Sequence, residues 1–124
     1  MKKAIFFDRD GTLIKTNLSK KNVKKINDYL LKKLPITKIY TCYCSTNNCK
    51  YRKPKPGMII KASKAYNLDL KKSYVIGDRY KDINAGRAAN CKTILIDRNY
   101  NEKIKKKPLF IVNNFKEISK IFKF

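Results

Sequence analysis

Two carboxylates one residue apart, Asp8 and Asp10, close the apolar run Ala4-Ile5-Phe6-Phe7 and are followed by Gly11-Thr12. A second apolar run, Ser73 to Gly77, stops on Asp78, with Asp82 four residues further on. Between them lies a basic pair, Arg52-Lys53. Acids gathered at the ends of buried strands are costly unless a cation or a reaction requires them. With no His in the chain, oxygen-only ligands favour Mg²⁺. A lysine beside such a cation neutralises an incoming phosphate. One carboxylate can then attack phosphorus, and a second, two residues on, can protonate the leaving oxygen and later activate water. Acid, metal and lysine around a phosphate are the parts of phosphoryl transfer.

These groups converge only if the elements bring them to one edge. Residues 3–7 read as a strand, 20–34 as a helix with Ser19 as N-cap, and 36–43 as a strand ending the alternating run Ile-Thr-Lys-Ile-Tyr-Thr-Cys-Tyr. Pro35 separates the last two. Residues 44–57 form a polar loop with Pro54, Pro56 and Gly57, and 58–67 a helix with Ile59, Ala62, Ala65 and Tyr66 on its apolar face. Strands over 73–77 and 92–96 flank a small-residue helix, 82–90, which can lie close on a sheet. An edge strand over 109–112 and a helix over 115–122 complete the pattern. Alternating strands and helices imply an α/β fold with a parallel, doubly wound sheet, whose strand C-termini line one edge.

The chain has 124 residues, 43% of them hydrophobic, which suits a single domain over 1–124 with a real core. Its formal net charge is +22, from 31 Lys+Arg against 9 Asp+Glu. Such a surface attracts phosphate, nucleic acid or acidic lipid. The lysines are spread over the whole chain, however, and no strip of interleaved basic and aromatic residues marks a strand-binding groove, so nucleic acid is disfavoured as a partner. No apolar run is long enough to span a membrane, and the apolar stretch after Lys2-Lys3 is too short for a signal peptide. A monomer in a reducing, cytoplasmic setting is expected, with no structural disulfide among Cys42, Cys44, Cys49 and Cys91. Cys91 reads as a core residue.

Asp8-Arg9-Asp10-Gly11-Thr12 resembles the first motif of the haloacid dehalogenase (HAD) superfamily, and Ile76-Gly77-Asp78-Arg79-Tyr80-Lys81-Asp82 its fourth. Arg52-Lys53-Pro54-Lys55-Pro56-Gly57 is similar to the third-motif region of a narrower group, the heptose-bisphosphate and histidinol-phosphate phosphatases. The likeness covers residues 3–12 and 49–97. It implies a Rossmann-like HAD sheet with flanking helices, shortened and without a separate cap domain. It also implies a Mg²⁺-dependent phosphatase of a small phosphorylated metabolite, with a heptose bisphosphate as the first candidate. Asp8 would be nucleophile and Mg²⁺ ligand. Asp10 would be general acid/base and bind the ion through its carbonyl, and Asp78 would be the remaining protein ligand. Lys53 would neutralise the phosphate and Arg52 contact the substrate. Asp82 would reach the ion through water or cap the next helix, and Thr12 would hold its loop or touch phosphate.

Two departures stand out. Only 39 residues separate Thr12 from Arg52, and the Thr/Ser-Asn-Gln second motif that holds the phosphoryl group in relatives is absent. Either the site lacks that contact or another residue supplies it, with Thr41 the leading substitute and Ser45 and Thr46 weaker ones. The zinc loop of the heptose group is incomplete. Cys42, Cys44 and Cys49 are candidate Zn²⁺ ligands, but Cys44 stands where the group has His, and Tyr51 where it has its last Cys. Three thiolates leave a structural zinc site one ligand short; otherwise this is a residual loop of free thiols. Two other readings remain beside the phosphatase: a degenerate domain that binds a phosphorylated ligand or partner without turnover, and a nucleic-acid 3′-phosphatase.

Overall fold

The structure, a computed structural model, describes residues 1–8, 28, 32, 38, 40, 49–100, 102 and 106–122. In chain order the elements are β1 (Ile5–Phe7), α1 (Gly57–Tyr66), β2 (Tyr74–Gly77), α2 (Tyr80–Ala88), β3 (Lys92–Ile96), β4 (Phe110–Val112) and α3 (Phe115–Phe122). The strands form one parallel sheet in the order β1-β2-β3-β4, with Phe7 beside Ile76, Gly77 beside Leu95, and Leu95 beside Ile111. The α/β fold with flanking helices is therefore the one the alternation of elements predicts.

Successive strand residues point to opposite faces, and here both faces are covered, which explains the near-continuous apolar runs. Val75 packs with Ile59 of α1 and with Ala85, Ala89 and Cys91 on one side. Ile76, Ile94, Ile96 and Val112 pack with Ile118 of α3 on the other. Cys91 is buried in the core as expected, and burial pushes its thiol up to about 11, which leaves it unreactive at neutral pH. The small residues of α2 let it lie against β2 and β3. A Cβ at Gly86 would come within 2.7 Å of Thr93 Cγ2 and 2.9 Å of Val75 Cβ.

α2 begins at Tyr80, two residues before the start read from its small-residue pattern. The Asp82 carboxylate turns back to accept the Arg79 N–H at 3.2 Å, so Asp82 closes the first turn instead of opening it. Arginine has no acceptor to return the bond, and only this half of a capping box forms. Gly77 makes room for the arrangement, because a Cβ there would overlap the Asp82 side chain. Gly77→Ala is expected to force Asp82 and the start of α2 off the sheet at a cost of roughly 1–3 kcal/mol. Urea denaturation checks this, and an unchanged midpoint contradicts it.

The helix expected over 20–34 lies outside the described residues except for Asp28 and Lys32, which are helical. The strand expected over 36–43 lies outside them except for Lys38 and Tyr40, which are not in strand conformation. Among the described residues, no helix is long and apolar enough to cross a membrane.

Candidate active site

Parallel strands deliver their C-terminal residues to one edge. Asp8 follows β1, and its N–H extends the ladder by donating to Ile76 O at 2.9 Å. Asp78 follows β2 on the adjacent strand, and Asp82 rises beside them from the first turn of α2. Carboxylate oxygens of Asp8, Asp78 and Asp82 lie within 4.8 Å of one another.

Lys53 arrives from the turn that precedes α1. That turn is fixed by its backbone: Arg52 N–H donates to Cys49 O at 3.1 Å, Lys55 N–H to Arg52 O at 3.0 Å, and Gly57 N–H to Lys50 O at 3.1 Å. A Cβ at Gly57 would collide with the Lys50 carbonyl, so the turn closes tightly only with glycine there. The Lys53–Pro54 peptide is cis. From this base Lys53 Nζ donates to Asp8 Oδ1 at 2.8 Å and to Asp82 Oδ1 at 2.5 Å. Asp82 is 1% exposed and has both oxygens engaged, one by Lys53 and one by the Arg79 N–H. Its role was open in the sequence between helix cap and distant metal contact. It caps the helix, and it also holds the lysine.

Burial works against the Lys53 ammonium, but Asp82 and Asp8 outweigh it and hold the lysine above its ordinary value. Burial raises Asp82, with Lys53 opposing. Burial also pushes the Asp78 carboxyl up to about 6. Its hydrogen-bonded neighbour Asp8 and the charge of Asp82 add to this, while Tyr100 pulls the other way. Asp78 Oδ1 is buried and has no hydrogen-bond partner among the described residues. A buried, unsatisfied carboxylate oxygen beside two more carboxylates is a donor set that fits a hard divalent cation.

Two buried acids and the half-buried Asp8 against one lysine leave the metal-free cluster destabilised. An acid whose folded value is raised costs stability above that value and returns it as pH falls towards the ordinary carboxylate range. Asp78→Asn is therefore expected to stabilise the metal-free protein at pH 7.5, by on the order of 1–3 kcal/mol. The gain should shrink to about a third near pH 4.5 and vanish only below the ordinary carboxylate value. Denaturation midpoints at the two pH values, without divalent cation, test this, and a destabilised variant at pH 7.5 contradicts it.

The HAD-hydrolase-like family model matches residues 50–118, more than half of the chain and the part that supplies Lys53, Asp78 and Asp82. The chain belongs to this HAD family. Among curated HAD relatives, the D-glycero-alpha-D-manno-heptose-1,7-bisphosphate 7-phosphatase of Campylobacter jejuni is 39% identical over 105 residues, covering 80% of this chain and 59% of the relative. The D-glycero-beta-D-manno-heptose-1,7-bisphosphate 7-phosphatase of Pasteurella multocida is 34% identical over 84 residues, covering 65% and 45%. The chain thus spans about half the length of the curated relatives it matches. The core domain of a Streptococcus pneumoniae TIGR4 protein described as a phosphoglycolate phosphatase superposes with a TM-score of 0.62, at 21% identity, over 99% of this chain and 96% of that one. That likeness speaks for the HAD fold alone.

Of the residues singled out in the sequence, Asp8, Lys53 and Asp78 come together as expected. Arg52 is exposed on the turn beside Lys53. Asp10, Thr12, Thr41, Cys42 and Cys44, with Ser45 and Thr46, lie outside the described residues. The cysteine loop needs a correction. Cys49 is disulfide-bonded, against the expectation of free thiols, and a disulfide sulfur is not the thiolate that zinc requires. The structure thus gives no support to Zn²⁺.

Sequence reading missed the segment after β3. Arg79 holds Glu102 through two bonds, Nε to Oε1 at 2.9 Å and Nη2 to Oε2 at 3.1 Å, and its guanidinium lies 5.0 Å from the Tyr100 ring centroid. Arg79 and Glu102 are 23 residues apart in sequence, and no spacing rule links them. The one available signal was Asp97, a third acid directly after an apolar run.

Proposed function

We propose that this HAD chain is a Mg²⁺-dependent phosphatase of a small phosphorylated metabolite, with a sugar phosphate of the heptose-bisphosphate kind as its first candidate. The observation that carries the reading is the Lys53 ammonium bridging Asp8 and Asp82, beside an Asp78 oxygen with no partner among the described residues. The names of the curated relatives support the substrate class.

Asp8, Asp78 and the Asp10 carbonyl would hold Mg²⁺, which when bound offsets the phosphate's negative charge. Lys53 provides the second positive charge, and Asp82 keeps it protonated and aimed. An Asp8 oxygen attacks phosphorus while the bond to the leaving oxygen breaks and Asp10 delivers a proton to that oxygen. Water then attacks the phospho-Asp8 intermediate with Asp10 as base, releasing phosphate and restoring the carboxylate. Arg52 and Thr12 would contact the bound phosphate ester, and Thr41 would take the phosphoryl contact of the missing second motif. The domain would act as one unit without a cap, as a monomer in the cytoplasm.

The purified chain is expected to release phosphate from heptose 1,7-bisphosphate, and more slowly from p-nitrophenyl phosphate, with both activities lost in EDTA and restored by Mg²⁺. No release above buffer from either compound sinks this reading. The absent Asn-Gln motif would then favour the second one, a domain that binds a phosphorylated ligand without turnover.

A further inference from the structure

Beside Asp78 lies a cavity of about 200 Å³ that the proposed chemistry does not use. Its floor is Leu95 and Ile111, paired neighbours on β3 and β4 that share the face on which α2 packs. Tyr80, the first residue of α2, lines it as well. Ile111 is 60% exposed. Its cross-strand partner Leu95 is 8% exposed. The rim is polar: Asp97, Arg98, Tyr100 and Glu102.

This rim is built and not loose. Asp97 follows β3 as Asp8 follows β1, and its N–H donates to Val112 O at 2.7 Å. The Asp97 Oδ1 accepts the Asn99 N–H at 2.8 Å, and Asn99 takes the left-handed conformation (φ 59°), which asparagine tolerates. Glu102 N–H donates to Tyr100 O at 2.8 Å, and the Arg79 clamp ties Glu102 and the Tyr100 ring back to the residue after Asp78. One arginine thus fixes the rim relative to the acid cluster.

An apolar floor under a rim of hydrogen-bonding groups, opening onto Asp78, suits a hydroxyl-rich carbon skeleton. We propose that this cavity is the leaving-group subsite. Its floor takes the C–H face of a sugar phosphate, Asp97 and Tyr100 bond the sugar hydroxyls, and Arg79 is the positioning residue that holds the rim. The proposal rests on the phosphatase reading of Asp8, Lys53 and Asp78. It deepens that reading by assigning sugar selectivity to the segment after β3.

Equilibrium titration separates the two ideas. Inorganic phosphate reports the acid-and-lysine site alone, whereas a panel of three- to seven-carbon sugar phosphates, including heptose 1,7-bisphosphate, reports both sites. All titrations are run with Mg²⁺ and with Asp8→Asn introduced into every protein compared, wild type included, so that no sugar phosphate is turned over while it is bound. The best sugar phosphate is expected to bind the wild type at least about tenfold more tightly than inorganic phosphate. In Tyr100→Ala, and separately in Asp97→Asn, that affinity ratio should fall by about tenfold, with circular dichroism reporting the fold. Glu102→Gln should lower the ratio by a smaller factor, because it loosens the Arg79 clamp. If no sugar phosphate outbinds inorganic phosphate, or if the ratio survives in folded Tyr100→Ala and Asp97→Asn, the subsite is overturned while the phosphatase reading stands. A wild type that binds no inorganic phosphate overturns the phosphatase reading and the subsite with it.

Discussion

Asp8→Asn is expected to lower Mg²⁺-dependent release of phosphate from p-nitrophenyl phosphate by about 10⁴-fold or more, the scale seen when a covalent nucleophile is removed. The amide keeps the Oδ1 acceptor that Lys53 uses, so the turn before α1 should stay in place. It has no charged oxygen with which to attack phosphorus. The fold should survive for a second reason. The cluster sets three carboxylates against one ammonium, and deleting one negative charge relieves repulsion. The variant should therefore melt no lower than the wild type in metal-free buffer while its turnover disappears. Turnover within tenfold of wild type sinks the aspartyl-phosphate mechanism. A variant that has lost both its fold and its activity shows instead that Asp8 is structural, and the fold readout separates the two outcomes.

How much of this was legible in the sequence depended on whether the cause was local. Strand ends that stop on Asp8 and Asp78 are local facts: an apolar run followed by an acid has few places to go except a sheet edge. A parallel sheet then brings the two edges together without further information. Lys53 was legible because Arg52, Pro54, Pro56 and Gly57 surround it, and each constrains the same turn. Asp82 was only half legible. Its start-of-helix position could be guessed, but the side chain's bond to Lys53 depends on Gly77 leaving space, which is a fact about packing. The rim of the cavity was legible at one residue only. Arg79, Tyr100 and Glu102 form no pattern along the chain, and Asp97, an acid directly after an apolar run, was the one local signal. They meet because β2 and β3 are neighbours and their C-terminal segments leave the sheet at the same edge.

Lys53→Met is expected to cost about 3–5 kcal/mol at pH 7.5, the scale for leaving buried charge without its partner. Methionine keeps most of the volume and apolar stem of lysine, so the loss isolates the charge. The lysine side chain is only 27% exposed, and its partners Asp8 and Asp82 are 16% and 1% exposed, so solvent does little to screen them. The sign with pH follows from the groups involved. Lys53 is held above its ordinary value, so deprotonation of the lysine itself removes its contribution only in strong alkali. The variant's penalty comes from Asp8, Asp78 and Asp82 remaining ionised together. It should shrink as pH falls below about 6, the value to which Asp78 is already raised, and as Asp82, also raised by its burial, takes up a proton. The gap between variant and wild type in urea midpoints should thus be large at pH 7.5 and small at pH 4.5. A divalent cation bound by the same carboxylates should close part of the gap at pH 7.5, by the linkage of ligand binding to folding. A gap below about 1 kcal/mol at pH 7.5, or one that does not change with pH, contradicts the view that Lys53 is the counter-charge on which the folded acid cluster depends.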